Sequence, residues 1–386
     1  MKHKLLLTTI FIIMAFKLFG QTYYWIANAT GPRNFPTDLE WFYIKYGNDK
    51  ACTIMRDYFH CGLSNTADCT YDKKRAIKNT PPKGVDAVWA NMFERKFYVA
   101  EIDFTKDEIN LIVNLLKTKY SSVDFNNKLI KGKYTSFIVG FLPEGELKFY
   151  LYGENYDRLI LLPFTYQGKE THELDEKILH GTWRGAHTDG KFWDTIDDFY
   201  DELTFQGKYF KSLENIKKED EDYYFGVKYY RENGFPHGLW KTYFRRFNYK
   251  INIEFEDKNA VIENERCYFT NGEYYIRYLA LNPDNVIKNK SILRQMFFSY
   301  KYKNKTNYVD LYFSEKEIIP LFINKLGENY GEINILVKSD FKTIEITFKI
   351  LEATYKIEKT GIEIDHLGKT IFKNFEGDNT NIFIGE

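Results

Sequence analysis

Residues 135–153 read TSFIVGFLPEGELKFYLYG. Two runs rich in Val, Ile, Phe, Leu and Tyr flank Pro143, Glu144 and Gly145. Strand formers on either side of residues that preset φ and admit a tight turn predict a β-hairpin. The same grammar extends outward. YYWIANA at 23–29, VDAVWANMF at 85–93 and KFYVAEIDF at 96–104 are short aromatic and β-branched runs, and each is predicted to be a strand. One segment changes period. Thr105 and Glu108 stand three apart, ahead of Ile109, Ile112, Val113 and Leu116 at helical spacing. In a capping box of this kind the hydroxyl and the carboxylate satisfy each other's free backbone donors, which predicts a helix over 106–119.

The second half repeats this order. EIDFTKDEINLIVNLL from Glu101 aligns with DLYFSEKEIIPLFINKL from Asp310: a strand ending in Phe, a hydroxyl cap, Glu three residues on, then an apolar helix. Ser314 and Glu317 would form the second capping box, with Ile318, Leu321, Phe322 and Leu326 buried on a helix near 315–327. Pro320 lies past the first turn, so this helix starts late or kinks. Downstream, INILVKS, TIEITFKI and ATYKIEKTGIEI alternate apolar and polar residues and predict an antiparallel meander. The fold class is therefore mostly β (α+β): two antiparallel β-rich domains, each with one amphipathic helix, related as a diverged repeat. The polar stretch QGKETHELDE at 167–176 divides them, giving domains of 21–172 and 173–386.

Residues 1–20 have the layout of an export signal. Met1, Lys2, His3 and Lys4 make a positive start, and the apolar run LLLTTIFIIMAF ends at Phe16, too short to span a bilayer comfortably. Gly20 places a small residue before Gln21, and cleavage is expected there. Lys17 and Leu18 are unusual in the approach to such a cut, and an uncleaved anchor is the alternative. Gln21 is not cysteine, so the thiol that carries the lipid of a bacterial lipoprotein is missing. A soluble, exported protein, periplasmic or extracellular, is expected, with no later segment apolar for long enough to span a membrane.

Lys plus Arg and Asp plus Glu number 54 each and are interspersed, with no basic tail or stripe. That excludes nucleic acid as the expected partner. Aromatic residues make up 18% of the chain, which suits sugar stacking or a protein-binding surface, but strands favour the same residues. Cys52, Cys61, Cys69 and Cys267 are an even set in an exported chain, so at least one disulfide is expected, with three pairings open. Cys61 and Cys69 flank GLSNTAD, a short, easily closed loop. Cys52, His60, Cys61 and Cys69 are the alternative metal set, without the paired spacing of a zinc ribbon.

His172, His180 and His187, with Asp189, crowd the polar segment, but their intervals of eight and seven match neither a helix face nor a strand face. They read as a solvated linker rather than a metal or catalytic site. HGTWRG, from His180 through Trp183 to Gly185, is similar to the Gly-x-Trp motif that closes one end of lipocalin barrels. NGFPHGLWKTYF at 233–244 resembles one unit of the membrane occupation and recognition nexus repeat, which needs several stacked copies to fold. Trp183 and Trp240 read as core residues. The chain has no GxSxG elbow, phosphate-binding GxxxxGK[ST] loop or HExxH helix, and no cofactor is implied.

With these landmarks placed, the chain resembles a bacterial family of exported proteins labelled domain of unknown function 2931. The likeness is carried by Trp25, Pro32, Phe35 and Pro36, by PPKGVDAVW, ERKFYVAEIDF and IVGFLPEGELKFYLYG, and later by NGEYYIRY and DLYFSEKEIIPLF. Gln21 departs from the many members that are lipoproteins. The resemblance brings no catalytic residues, and some members resemble immunity proteins against lipase toxins. The expectation is a non-enzymatic binding or toxin-immunity protein acting through a protein surface. The alternative is a β-barrel-like carrier of a small lipid or sugar, with His180, Trp183 and His187 as its candidate site.

Overall fold

A computed structural model describes residues 22–54, 58–59, 76–123, 129–154, 157–171, 224–278, 286–374 and 383–385, apart from positions 36, 49, 92 and 95. The protein is mostly β, of the α+β class. The first half contains β1 (Tyr24–Thr30), β2 (Thr37–Tyr46), β3 (Lys50–Ile54), β4 (Tyr58–Phe59), β5 (Ile77–Lys78) and β6 (Pro82–Asn91). It continues through β7 (Lys96–Asp103), β8 (Lys119–Val123), β9 (Leu129–Phe141), β10 (Glu146–Gly153), β11 (Arg158–Gln167) and β12 (Lys169–Thr171). The second half contains β13 (Phe247–Phe255), β14 (Val261–Phe269), β15 (Tyr274–Tyr278), β16 (Val286–Lys290), β17 (Leu293–Tyr302) and β18 (Lys305–Tyr312). It ends with β19 (Tyr330–Val337), β20 (Ile344–Ile350), β21 (Ala353–Lys356), β22 (Gly361–His366) and β23 (Lys369–Lys373). The α-helices among the described residues are α1 (Lys106–Lys117), α2 (Tyr224–Asn233), α3 (Leu239–Tyr243) and α4 (Glu315–Pro320).

The predicted hairpin is β9 and β10, in register from Phe141↔Leu147 to Phe137↔Leu151. Its turn is one 3-10 turn, with Glu144 at φ 60° and Gly145 at φ 75°. Gly suits that conformation and Glu does not, so Glu144 is held there by its contacts.

Both halves follow one connection plan. In the first, β1 leads into the antiparallel meander β2–β6–β7, then α1, and β9 returns parallel to β1 before pairing with β10, which pairs with β11. In the second, β13 leads into β14–β17–β18, then α4, and β19 returns parallel to β13 before β20 and β21. The sheets are antiparallel-rich, as expected, and these two parallel pairs are the exceptions among the described strands. A meander plus a helix supplies the long crossover that parallel pairing requires.

Each half encloses its own core. Trp25, Phe42, Trp89, Phe104, Ile112, Leu116, Phe137 and Phe149 fill the first. Tyr249, Met296, Phe298, Leu311, Phe322, Ile333 and Phe348 fill the second, leaving its interior occupied by side chains. The halves nevertheless share a sheet. One twelve-stranded sheet takes β1, β5, β8, β9, β10 and β11 from the first half and β14, β15, β17, β18, β22 and β23 from the second, joined where Leu159 pairs with Tyr274. The expected division at 172/173 lies outside the described residues. Just before it, Lys169–Thr171, expected as linker, pairs with β7.

The helices show where local reading holds and where it stops. The capping box of α1 forms: Thr105 Oγ1 accepts from the Glu108 amide at 3.3 Å, and Glu108 Oε2 accepts from the Thr105 amide at 2.7 Å. The helix ends at Lys117 rather than 119, because Thr118 is extended and its hydroxyl donates to the Asn114 carbonyl at 2.7 Å. Before α4 no box forms. Ser314 makes no side-chain cap bond, and Glu317 instead accepts from the amides of Glu358 and Lys359, both at 2.9 Å. Pro320 ends the α-helical ladder, and Leu321–Leu326 continue as a π-helix. That wider winding keeps Phe322 and Leu326 buried with Ile318, while Leu321, expected inside, is only half-buried.

Candidate functional site

The two halves meet a second time around α2, α3 and the C-terminal residues. Phe35, Phe93, Leu142, Val227, Trp240 and Ile384 form a separate apolar cluster there, drawn from both halves. The Phe35 ring stands edge-on to Trp240, centroids 5.5 Å apart, and tilts against Phe93 at 4.7 Å. Gly226 lets α2 approach this closely, because a Cβ there would collide with the backbone carbonyl of Asn34.

The last described residues lie across this joint with their main chain captured. The Ile384 amide donates to Glu315 Oε2 at 2.8 Å, and the Gly385 amide donates to the Tyr243 hydroxyl at 3.1 Å. Trp240 Nε1 donates to the Gly385 carbonyl at 3.0 Å, and Asn34 Nδ2 donates to the Phe383 carbonyl at 3.3 Å. Tyr243 in turn donates to Glu315 Oε1 at 2.8 Å. Phe383, Ile384 and Gly385 are all buried. A side chain at 385 would press on the Tyr243 ring at 2.8 Å and on Leu239 at 3.0 Å, so only glycine fits without a shift.

Beside this strap opens a cleft of about 500 Å³. Phe225, Tyr229, Leu239, Ile319, Pro320 and Ile384 supply apolar walls, and Lys228, Glu232, Lys316 and Glu315 supply charge. Burial pushes the Glu315 carboxyl above its ordinary range, opposed by the bonds from Ile384 and Tyr243. Both of its oxygens are engaged by those bonds. The group therefore orders the strap and is poorly placed to take a proton from a ligand. An apolar concavity with a few convergent polar groups is the geometry of binding.

No family model, curated protein or solved structure matches this chain.

A second polar constellation pins the hairpin tip to the loop between α2 and α3. The Glu144 amide donates to Glu94 Oε2 at 2.7 Å, and Tyr98 donates to Glu94 Oε1 at 3.0 Å. The Glu144 carboxylate accepts from the Gly238 amide at 3.1 Å and lies 3.3 Å from His237 Nδ1. Burial raises Glu94 to about 7, against the lowering effect of the Glu144 and Tyr98 bonds. These contacts account for the left-handed conformation of Glu144.

The sequence candidates fall elsewhere. His60, Cys61, Cys69, His172, His180, Trp183, His187 and Asp189 lie outside the described residues, and Cys52 is described only as backbone, in β3. Cys267, expected as a disulfide candidate, is instead a free thiol, fully buried, and burial pushes its pKa well up. Among the described residues no three His, Cys, Asp or Glu side chains gather to hold a metal. Trp240 is a core residue as expected, but NGFPHGLWKTYF forms the end of α2, a turn and α3 rather than Gly-linked strands. Sequence reading missed the cleft. Its one local trace was the short apolar stretch at 382–384 so near the chain end.

Proposed function

We propose that this chain is an exported binding protein that receives a segment of a protein partner in the cleft between α2, α3 and α4. The observation that carries the reading is the strap. Four hydrogen bonds to Asn34, Trp240, Tyr243 and Glu315 already hold a short peptide segment by its main chain at the cleft wall. A volume of about 500 Å³ suits one or two large apolar side chains of such a segment. Toxin neutralisation, implied by the family resemblance, is one biological setting for such a protein, and residues 1–20 supply the export. A lipid or sugar held inside a barrel fits less well, because side chains occupy the interior of the second core.

Site-specific photo-crosslinking in cells tests the reading. A photoreactive residue at Lys316 is expected to trap a protein, and one at exposed Lys349 on β20 is not. Ile319→Asp should abolish the Lys316 crosslink. Absence of any crosslink from Lys316, or persistence of the crosslink in the Ile319 variant, rejects it.

A further inference from the structure

The twelve-stranded sheet has a second surface outside the second core. Met296, Phe298 and Tyr300 of β17, Val309 and Leu311 of β18, and Ile362 and Ile364 of β22 point inward. Their neighbours in sequence therefore point out. One outward row runs Phe372, Glu363, Asp310, Phe297 and Arg266 across five strands, each residue paired directly with the next. The flanking outward row contains Thr370, Asp365, Tyr308 and Ser299, and the other contains Tyr312, Gln295 and Tyr268. Aromatic rings thus alternate with planar hydrogen-bonding groups over the outer sheet face, most of them half-buried and Ser299 buried.

Two of these rings are exposed at the surface. Tyr308 is 43% exposed and Phe372 62% exposed. The Phe297 and Tyr308 rings stack across neighbouring strands, centroids 5.7 Å apart and 28° from parallel, making one broad platform. Beside it, Gln295 Nε2 donates to both Asp310 oxygens at 3.1 Å, and Tyr312 donates to Asp310 Oδ2 at 2.9 Å. Arg266 Nη1 donates to the Tyr268 hydroxyl at 3.2 Å. These groups are already oriented. Phe372 stands three strands from Phe297, roughly 14 Å at ordinary strand spacing.

Charge and composition select the ligand. Asp310, Glu363 and Asp365 outnumber Arg266 in these rows and repel phosphate and sulfate, so a nucleic acid is disfavoured. Carboxylates are depleted from the centres of protein interfaces, and here they lie between the rings. A neutral sugar satisfies both features, because its C–H face covers an aromatic ring while its hydroxyls pair with carboxylate and amide. We infer that the outer face formed by β17, β18 and β22 is a binding platform for a neutral oligosaccharide, centred on Phe297 and Tyr308. This platform is separate from the cleft and does not depend on it.

Calorimetric titration of the whole chain with chitohexaose, cellohexaose and maltohexaose tests the platform. At least one is expected to bind with a Kd on the order of 0.1–1 mM. Tyr308→Ala should weaken that binding roughly tenfold, as loss of a stacking ring does. Phe372→Ser, at a strongly exposed position that leaves folding intact, should weaken it for the longer ligand more than for the matching disaccharide. Ile319→Asp in the cleft should leave it unchanged. Failure of all three sugars to bind, or binding unaffected by both aromatic substitutions, overturns the inference.

Discussion

The phenol of Tyr243 donates to Glu315 at 2.8 Å and accepts the amide of Gly385 at 3.1 Å, so one hydroxyl joins α3, α4 and the chain end. Tyr243→Phe removes both bonds without altering the ring. Each leaves a partner short of a hydrogen bond in a mostly buried place, at about 1 kcal/mol or more apiece. A total loss of roughly 2–3 kcal/mol is expected in urea unfolding, with faster amide exchange at Ile384 and Gly385. Unchanged exchange at those two amides would show that the strap does not depend on Tyr243.

Glu94 makes stability fall as pH rises through the acid-to-neutral range. Its carboxyl is raised from 4.5 to about 7 in the folded chain, chiefly by burial. Below the lower value both states hold the proton; between the two values only the folded state does, so ionisation favours unfolding. Above the upper value the penalty is constant. After allowance for partial exposure it amounts to about 2 kcal/mol. Glu94→Gln should flatten this part of the stability profile, measured as the urea midpoint at a series of pH values. A variant whose profile parallels the parent would assign the slope to other groups.

Equivalent glutamates on the two helices differ in what they hold. Thr105→Ala should destabilise the chain by about 1 kcal/mol, the usual cost of losing an N-cap. Ser314→Ala removes no cap bond and should cost clearly less. Glu317→Ala frees two amides beyond β21 and should cost on the order of 1–3 kcal/mol, with exchange accelerated at Glu358 and Lys359. If Ser314→Ala proved as damaging as Thr105→Ala, the two helix starts would be alike after all.

Cys267 should resist alkylation in the native protein without any reductant present. Its thiol is fully buried and its pKa well raised, so thiolate is scarce and inaccessible. Mass spectrometry should find the residue labelled by iodoacetamide only after denaturation, again without reductant. Labelling that requires reductant would place Cys267 in a disulfide.

The hairpin around Pro143–Gly145, the strands β1, β6, β7 and β18 to β20 and the capped helix from Lys106 were legible in the sequence, while β2, β14 and β17 were not. Each depends on residues within a few positions of one another: alternation at period two, a turn residue, a hydroxyl three places from a carboxylate. The same local logic misread Ser314 and Glu317. Their spacing matches a capping box, yet Glu317 finds better partners at Glu358 and Lys359, some forty residues on, at 2.9 Å each.

What only the tertiary structure decided is where distant segments meet. The return of β9 beside β1 and of β19 beside β13 turns meanders into layered halves, and the pairing of Leu159 with Tyr274 makes one sheet serve both. The strap is the extreme case. Asn34 and Phe383 stand 349 positions apart and share a hydrogen bond. Local spacing carries no trace of such a contact, because it arises when two completed cores bring their surfaces together. Composition and pattern determined that this chain would build strands and cap a helix. The packing of the finished halves decided that Trp240, Tyr243 and Glu315 would hold the strap beside a cleft.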